Sequence, residues 1–203
     1  MKDEQEVSFP PPSSEKRQRG EFDYIRKIRQ RAAAASSNQA SSLLRGIGDD
    51  AAIIRETAGR NTLVTTDLLL EDIDFHRDTT TPQFLGHKAL AVSLSDIAAM
   101  GARPRWSLLA LGITNDIWNS DFVDHFYEGF FALADRYDVR LIGGDISRSV
   151  HKLVIDSIVL GQANDGKAIS RSGARPGDHV FVTGTLGGAA AGLRPELRHQ
   201  ARR

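Results

Sequence analysis

Asp49, Asp50, Asp67, Asp96 and Asp145 are the residues of this sequence best suited to chemistry. Each is set in otherwise apolar sequence, beside glycine or near the end of a run that reads as a strand or helix, and Asp145 directly follows Gly143 and Gly144. One such aspartate would read as a turn former or a helix cap. A converging set of carboxylates repels itself unless it is protonated or bridged by cations. Mg²⁺ is the economical bridge, because it is held by few carboxylates and completes its shell with water and substrate phosphates. Alternation along Leu63–Leu68 puts Thr65 and Asp67 on one face, where a hydroxyl and a carboxylate can serve one ion. Ser93 stands one helical turn before Asp96, and Gly143-Gly144 lets backbone approach a phosphate that side chains would obstruct.

Composition narrows the chemistry further. The 203 residues contain no cysteine, which excludes disulfides, thiolate metal sites and a cysteine nucleophile and leaves oxygen or imidazole as metal ligands. Lysine plus arginine equals aspartate plus glutamate at 26 each, so no global field holds a nucleic-acid backbone or an anionic membrane. The opening 20 residues, charged and carrying Pro10-Pro11-Pro12, do not read as a signal peptide and are expected to be a disordered tail. No later stretch reads as a membrane span, and a soluble, cytoplasmic protein is expected.

The elements that must position the aspartates follow from periodicity. Residues 21–31 read as a helix and 32–42 as a low-complexity connector. Residues 51–55 and 62–70 read as strands, 106–114 as another, 139–142 as a short strand ending before Gly143, 153–160 as a longer strand and 178–183 as a last one. Thr81-Pro82 starts a helix whose stripe is Leu90, Leu94 and Ile97 and which stops at Gly101; residues 121–137 form a second amphipathic helix, and a third begins at Gly187. Strands and helices mix without a regular βαβ repeat, which predicts an α+β layer structure. The domains expected are a tail over 1–20, a metal- and nucleotide-binding domain over 21–165, and the start of a further domain over 166–203.

Two phosphate-binding motifs are matched only on paper. Gly46-Ile-Gly-Asp-Asp-Ala51 fits a dinucleotide fingerprint, but a strand follows where a helix N-terminus must receive the pyrophosphate. Gly161–Lys167 is one residue short of a P-loop: Ala168 stands where a hydroxyl must bind Mg²⁺ and no helical run follows, so a hairpin turn with an exposed lysine is expected.

Gly46-Ile-Gly-Asp-Asp-Ala-Ala52, Thr65-Thr66-Asp67, residues 88–102 with Leu94-Ser-Asp-Ile-Ala-Ala-Met-Gly101, Leu141-Ile-Gly-Gly-Asp145 and Ser170-Arg-Ser-Gly-Ala-Arg-Pro-Gly-Asp178 occur in this order. Over roughly residues 20–193 the chain resembles the thiamine-monophosphate kinase family, of the superfamily that includes aminoimidazole ribonucleotide synthetase. The resemblance implies that superfamily's N-terminal ATP-binding domain, with a mixed sheet flanked by helices and completed by homodimerisation. It implies in-line transfer of the ATP γ-phosphoryl group to thiamine monophosphate, assisted by several Mg²⁺ ions and without a covalent enzyme intermediate. Carried over by position, Asp49, Asp50, Thr65, Thr66, Asp67, Asp96 and Asp145 are the metal ligands, Gly144, Asp145, Arg171 and Tyr127 contact ATP, and Asp74 stands where the family has its substrate histidine, with His76 just beyond as the substitute contact. The family's C-terminal domain is not found after Leu193, so this chain alone is expected to bind nucleotide with little or no turnover. Two other readings stay open: a different ATP-using member of the superfamily, and a non-catalytic dimerisation or metal-binding fragment.

Overall fold

The computed structural model describes residues 25, 26, 29, 30, 42–56 and 59–188. Ile25, Arg26, Arg29 and Gln30 are helical, within the first expected helix. The tail over 1–20, nearly all of the connector and most of the helix from Gly187 fall outside the described residues. The chain divides into two units, 1–170 and 171–203.

Apolar and β-branched runs give the described residues of the first unit six strands: β1 Leu43–Arg45, β2 Ala52–Arg55, β3 Arg60–Leu70, β4 Arg103–Ile113, β5 Arg140–Arg148 and β6 Val154–Asn164. They form one sheet in the order β1-β2-β3-β6-β4-β5, antiparallel throughout except for the parallel β4–β5 pair. Helix α1 spans Pro82–Ala99, a single turn α2 spans Asn115–Trp118, and α3 spans Phe122–Tyr137. The expected α+β class is the one found. Strand β1 and the α2 turn are too short to carry a periodic signal, and periodicity does not announce them.

Thr81 caps α1, its Oγ1 accepting from the Phe84 amide at 3.3 Å, and Pro82 occupies the first turn, where its missing N–H costs nothing. One side of α1 buries Leu85, Ala89, Leu90 and Ile97 in the core with Leu63, Leu109, Ile155 and Val159 of the sheet. The expected stripe is corrected at one position: Leu94 is half-buried, and Ser93 holds the fully buried place. Helices α1 and α3 meet through glycines. A Cβ on Gly86 would stand 1.8 Å from the Phe126 carbonyl oxygen, and one on Gly129 would stand 1.9 Å from that of Gln83.

Two expectations about strands fail. Strand β5 does not stop at Ile142 but runs through Gly143-Gly144-Asp145. A register shift against β4, where Ser107 faces Leu141 and Leu108 faces Gly143, leaves Ile142 as an extra residue and lets the glycines continue the ladder. Residues 178–183 form no strand. Val180 and Phe181 are 92% and 86% exposed, and an apolar run becomes a strand only where another strand pairs with it. In the second unit, Arg175-Pro-Gly-Asp178 makes a tight turn, the Arg175 amide donating to Asp178 Oδ2 at 2.8 Å.

The odd-numbered residues of β3 and β6 face α1, and the even-numbered ones form the opposite sheet face. There Leu68 is 57% and Ile54 38% exposed, beside half-buried Val64, Leu70, Ile158 and Leu160.

Candidate metal and nucleotide site

On the α1 side of β3, two polar pairs lie beneath the helix. Thr65 Oγ1 donates to Asp96 Oδ2 at 2.7 Å, and Ser93 Oγ, fully buried, donates to Asp67 Oδ2 at 2.7 Å. Ser93 also lies 3.0 Å from the Ser157 carbonyl. Thr65 and Asp67 share a face, as alternation requires, and α1 brings Asp96 to them. Thr66 points to the other face, where it donates to Asp156 Oδ1 at 2.6 Å. Thr66 is therefore separated from Asp67 by the thickness of the sheet.

The turn over Gly46–Asp50 enters β2 at Ala52, which is level with Val64, so it sits beside the β3 segment carrying Thr65 and Asp67. The side chain of Asp49 is 5% exposed; it accepts the Asp50 amide at 3.1 Å and lies 3.8 Å from Arg45. Asp49 thus closes the turn. Gly48 has φ 117°, and a Cβ there would stand 2.9 Å from Arg29 Nη1. That guanidinium against the Gly48 backbone is a feature periodicity could not locate.

Asp67, Ser157, Leu109 and Gly144 stand in register across four neighbouring strands, β3, β6, β4 and β5. At the far end of this row is a cleft of about 430 Å³ whose lining includes Tyr127 of α3 with Leu141, Gly144 and Asp145 of β5. A Cβ on Gly144 would stand 1.9 Å from the Leu109 carbonyl oxygen, so the backbone lies open there because no side chain fits. Tyr127 stacks on Phe131 with centroids 5.7 Å apart, and burial raises the pKa of its phenol. Tyr127, Gly144 and Asp145 are thus brought together, and Thr65, Asp67 and Asp96 form a second group. Among the described residues no three histidine, aspartate or glutamate side chains lie close enough to hold an ion by themselves.

Asp74 and His76 lie on the loop after β3. Asp74 closes that loop: its Oδ2 accepts the Leu70 amide at 2.8 Å and its carbonyl accepts from Lys88. His76 Nδ1 lies 3.3 Å from Asp72 Oδ1. Hydrogen bonding from Lys152, and then from His76, lowers the Asp72 pKa. Beneath the loop, buried Glu71 accepts Arg77 Nε at 2.7 Å and the Leu153 amide at 2.8 Å, and Arg77 Nη1 donates to Asp116 at 2.8 Å. Thr114, and then Arg77, hold Asp116 down at a pKa of about 2. Sequence reading missed this tether, whose members come from three separate segments. Arg171 begins the second unit.

The donors are hard oxygens throughout, and Ser157 Oγ, in register with Asp67, is buried without a partner. An oxygen-binding cation suits such a set, and Mg²⁺ fits the residues present.

Residues 48–163 match the family model described as AIR synthase related protein, N-terminal domain. Thiamine-monophosphate kinase of Bacillus subtilis is 42% identical over 173 residues, 85% of this chain and 51% of that protein. The solved structure described as AaThiL complexed with AMPPCP and TMP is 35% identical with a TM-score of 0.76, over 89% of this chain and 53% of that one. The thiamine-monophosphate kinase structure from Stenotrophomonas maltophilia K279a is 42% identical with a TM-score of 0.65, over 88% and 54%. The chain spans about half the length of the curated relatives it matches. No helix among the described residues is long and apolar enough to cross a membrane. With its matched core extending from the Gly46–Asp50 turn through β6, the chain belongs to the family of AIR synthase related proteins, by their N-terminal domain.

Proposed function

We propose that this chain supplies the ATP- and Mg²⁺-binding part of a phosphotransferase that converts thiamine monophosphate to thiamine diphosphate. The observation carrying this reading is the row from Asp67 to Gly144, which links the oxygen donors under α1 to the cleft beside Tyr127. At a strand spacing of about 4.8 Å its ends are roughly 14 Å apart. That is too far for one ion, so the donors at Asp67 and the cleft at Gly144 serve different parts of one polyphosphate ligand, with the nucleoside towards Tyr127.

In this reading Asp50, Asp67, Asp96 and Asp145 hold Mg²⁺, with Thr65 released from Asp96 to join them and Asp49 keeping the turn closed. Thr66 stays on the far face. Bound Mg²⁺ neutralises the transferring phosphoryl group and its leaving oxygen. The Gly144 backbone comes close to phosphate, and Tyr127 covers the nucleoside. His76, oriented by Asp72, is the donor offered to the acceptor phosphate, while Asp74 shapes its loop. No side chain becomes covalently linked, because in-line transfer needs positioning and charge neutralisation rather than a nucleophile.

The uncovered apolar sheet face, with Leu68 and Ile54, supports a homodimer through that face. The same face suits a non-catalytic dimerisation module, and turnover separates the two readings. In titrations with Mg²⁺ and a non-hydrolysable ATP analogue, Asp145→Ala and Tyr127→Ala should weaken binding about ten-fold or more. Unchanged affinity in both would remove the nucleotide assignment. Thiamine diphosphate formation should be little or none for the 203-residue chain and should appear when a family-like C-terminal domain is fused to it. Its absence from a folded, nucleotide-binding fusion would favour the non-catalytic module.

A further inference from the structure

The opposite end of the sheet carries a second cleft, of about 390 Å³, with a contrasting chemistry. Arg60 from the start of β3, Arg103 and Arg105 from the start of β4, and Lys167 just after β6 all line it. Gln162 and Asn164 add amides, no carboxylate is among the lining residues, and the only apolar contributors are one glycine and one alanine. None of the four cations makes an ion pair or a side-chain hydrogen bond among the described residues. Nearby, Asp165 accepts from Asn61 at 3.2 Å and Glu56 accepts from Thr62, neutral partners that leave both carboxylates charged but engaged with groups other than the four cations. Four like charges lining one cleft raise one another's energy, and a bound anion relieves it.

Local structure fixes these side chains around one space. The β4–β6 register shifts between Pro104 and Trp106, leaving Arg105 as an unpaired extra residue, and such a bulge re-aims a side chain; Arg103 and Arg105 thereby line the same cleft. The Lys167 amide donates to the Asn164 carbonyl at 3.0 Å, and the Ile169 amide donates to Met100 at 3.0 Å, so the backbone on both sides of Lys167 is tied down. Gln162, Asn164 and Lys167 belong to the Gly161–Lys167 segment that fails as a P-loop for want of a following helix and a hydroxyl. The segment ends in a turn off the sheet rather than in a hairpin.

We infer that this cleft binds a short phosphate chain, an anion with several oxygens and little apolar surface. Three guanidiniums and an ammonium match phosphate oxygens. With only a glycine and an alanine as apolar lining residues, a base or an aliphatic chain has little to pack on. Seven residues of extended strand separate Arg60 from Asp67, about 23 Å, so this site is distinct from the acidic one.

The test is titration of the 203-residue chain with inorganic pyrophosphate in EDTA, which keeps metal from the aspartates, at constant ionic strength. Binding is expected, with Arg103→Gln/Arg105→Gln and, separately, Lys167→Ala weakening it about ten-fold or more. These residues are exposed or half-buried, and unliganded melting temperatures check that the variants fold. ADP is the second probe: its loss in the same variants assigns the phosphate end of a nucleotide, and loss for pyrophosphate alone assigns the inorganic ion. Unchanged pyrophosphate affinity in both folded variants would overturn the site. Citrate or a poly-glutamate peptide binding as tightly as pyrophosphate would overturn the phosphate assignment.

Discussion

At the scale of single residues, the Glu71–Arg77–Asp116 tether is the most exposed to test. Arg77→Ala leaves Glu71, with a side chain 6% exposed, facing only the Leu153 amide, and should cost about 2 kcal/mol in denaturant unfolding. Adding Glu71→Gln should cost less than the two single changes together, because one interaction cannot be lost twice. Asp116 has its folded-state pKa lowered from 3.8 to about 2, so its contribution is fully present above 3.8 and lost as pH falls through about 2. The melting-temperature gap between wild type and Asp116→Asn should therefore close across that interval and be constant above it. In the acidic site, Mg²⁺ should raise the wild-type melting temperature, and Asp67→Asn should shrink the increment. Identical melting in EDTA and in millimolar Mg²⁺ would count against the site. Asp67 and Asp96 were legible in the sequence because a carboxylate in apolar sequence is conspicuous. Ser93 was noticed only for its spacing, and its burial against Asp67 could not be seen, since the position reads as one more small residue on α1. Asp49 and Asp50 look equivalent in sequence, yet only the folded turn reveals that one carboxylate is spent on the neighbouring amide.

At the scale of elements, the α1–α3 crossing depends on Gly86 and Gly129, where no Cβ can be accommodated against backbone 1.8 and 1.9 Å away. Either glycine changed to alanine should push the helices apart and destabilise the fold by about 3 kcal/mol or more, read as a fall in melting temperature. Gly59→Ala has open space around it and a φ of 71°, so its smaller cost should reflect backbone conformation alone. The long strands and α3 were legible because each holds one periodicity over many residues, and α1 because Thr81-Pro82 marks a clear start. Strand β5 was not, because glycines that usually end a strand are here absorbed by a bulge beside a parallel partner. The run over 178–183 shows the converse: a strand-like apolar run without a partner gives no strand.

At the scale of the whole molecule, the apolar face around Leu68 predicts self-association, and light scattering at micromolar concentration should give twice the monomer mass. Leu68→Lys should shift that equilibrium towards monomer while leaving the far-ultraviolet circular dichroism unchanged. The mixed sheet itself was legible from the absence of a βαβ repeat, but its strand order was not, since pairing across long intervals leaves no local trace. That order has a consequence for how the chain comes to be folded. Strand β6, the last of the six to be synthesised, lies between β3 and β4, and its end pairs Asn164 with Arg60. Until it emerges from the ribosome, β3 and β4 have no shared neighbour and present bare edges, the condition under which chains stick to one another. Folding should therefore be a late, single event with non-local pairing at its centre, slow for a domain of this size. A nascent chain stalled before Val154 should stay protease-sensitive, and one stalled well past Asn164 should become resistant in one step.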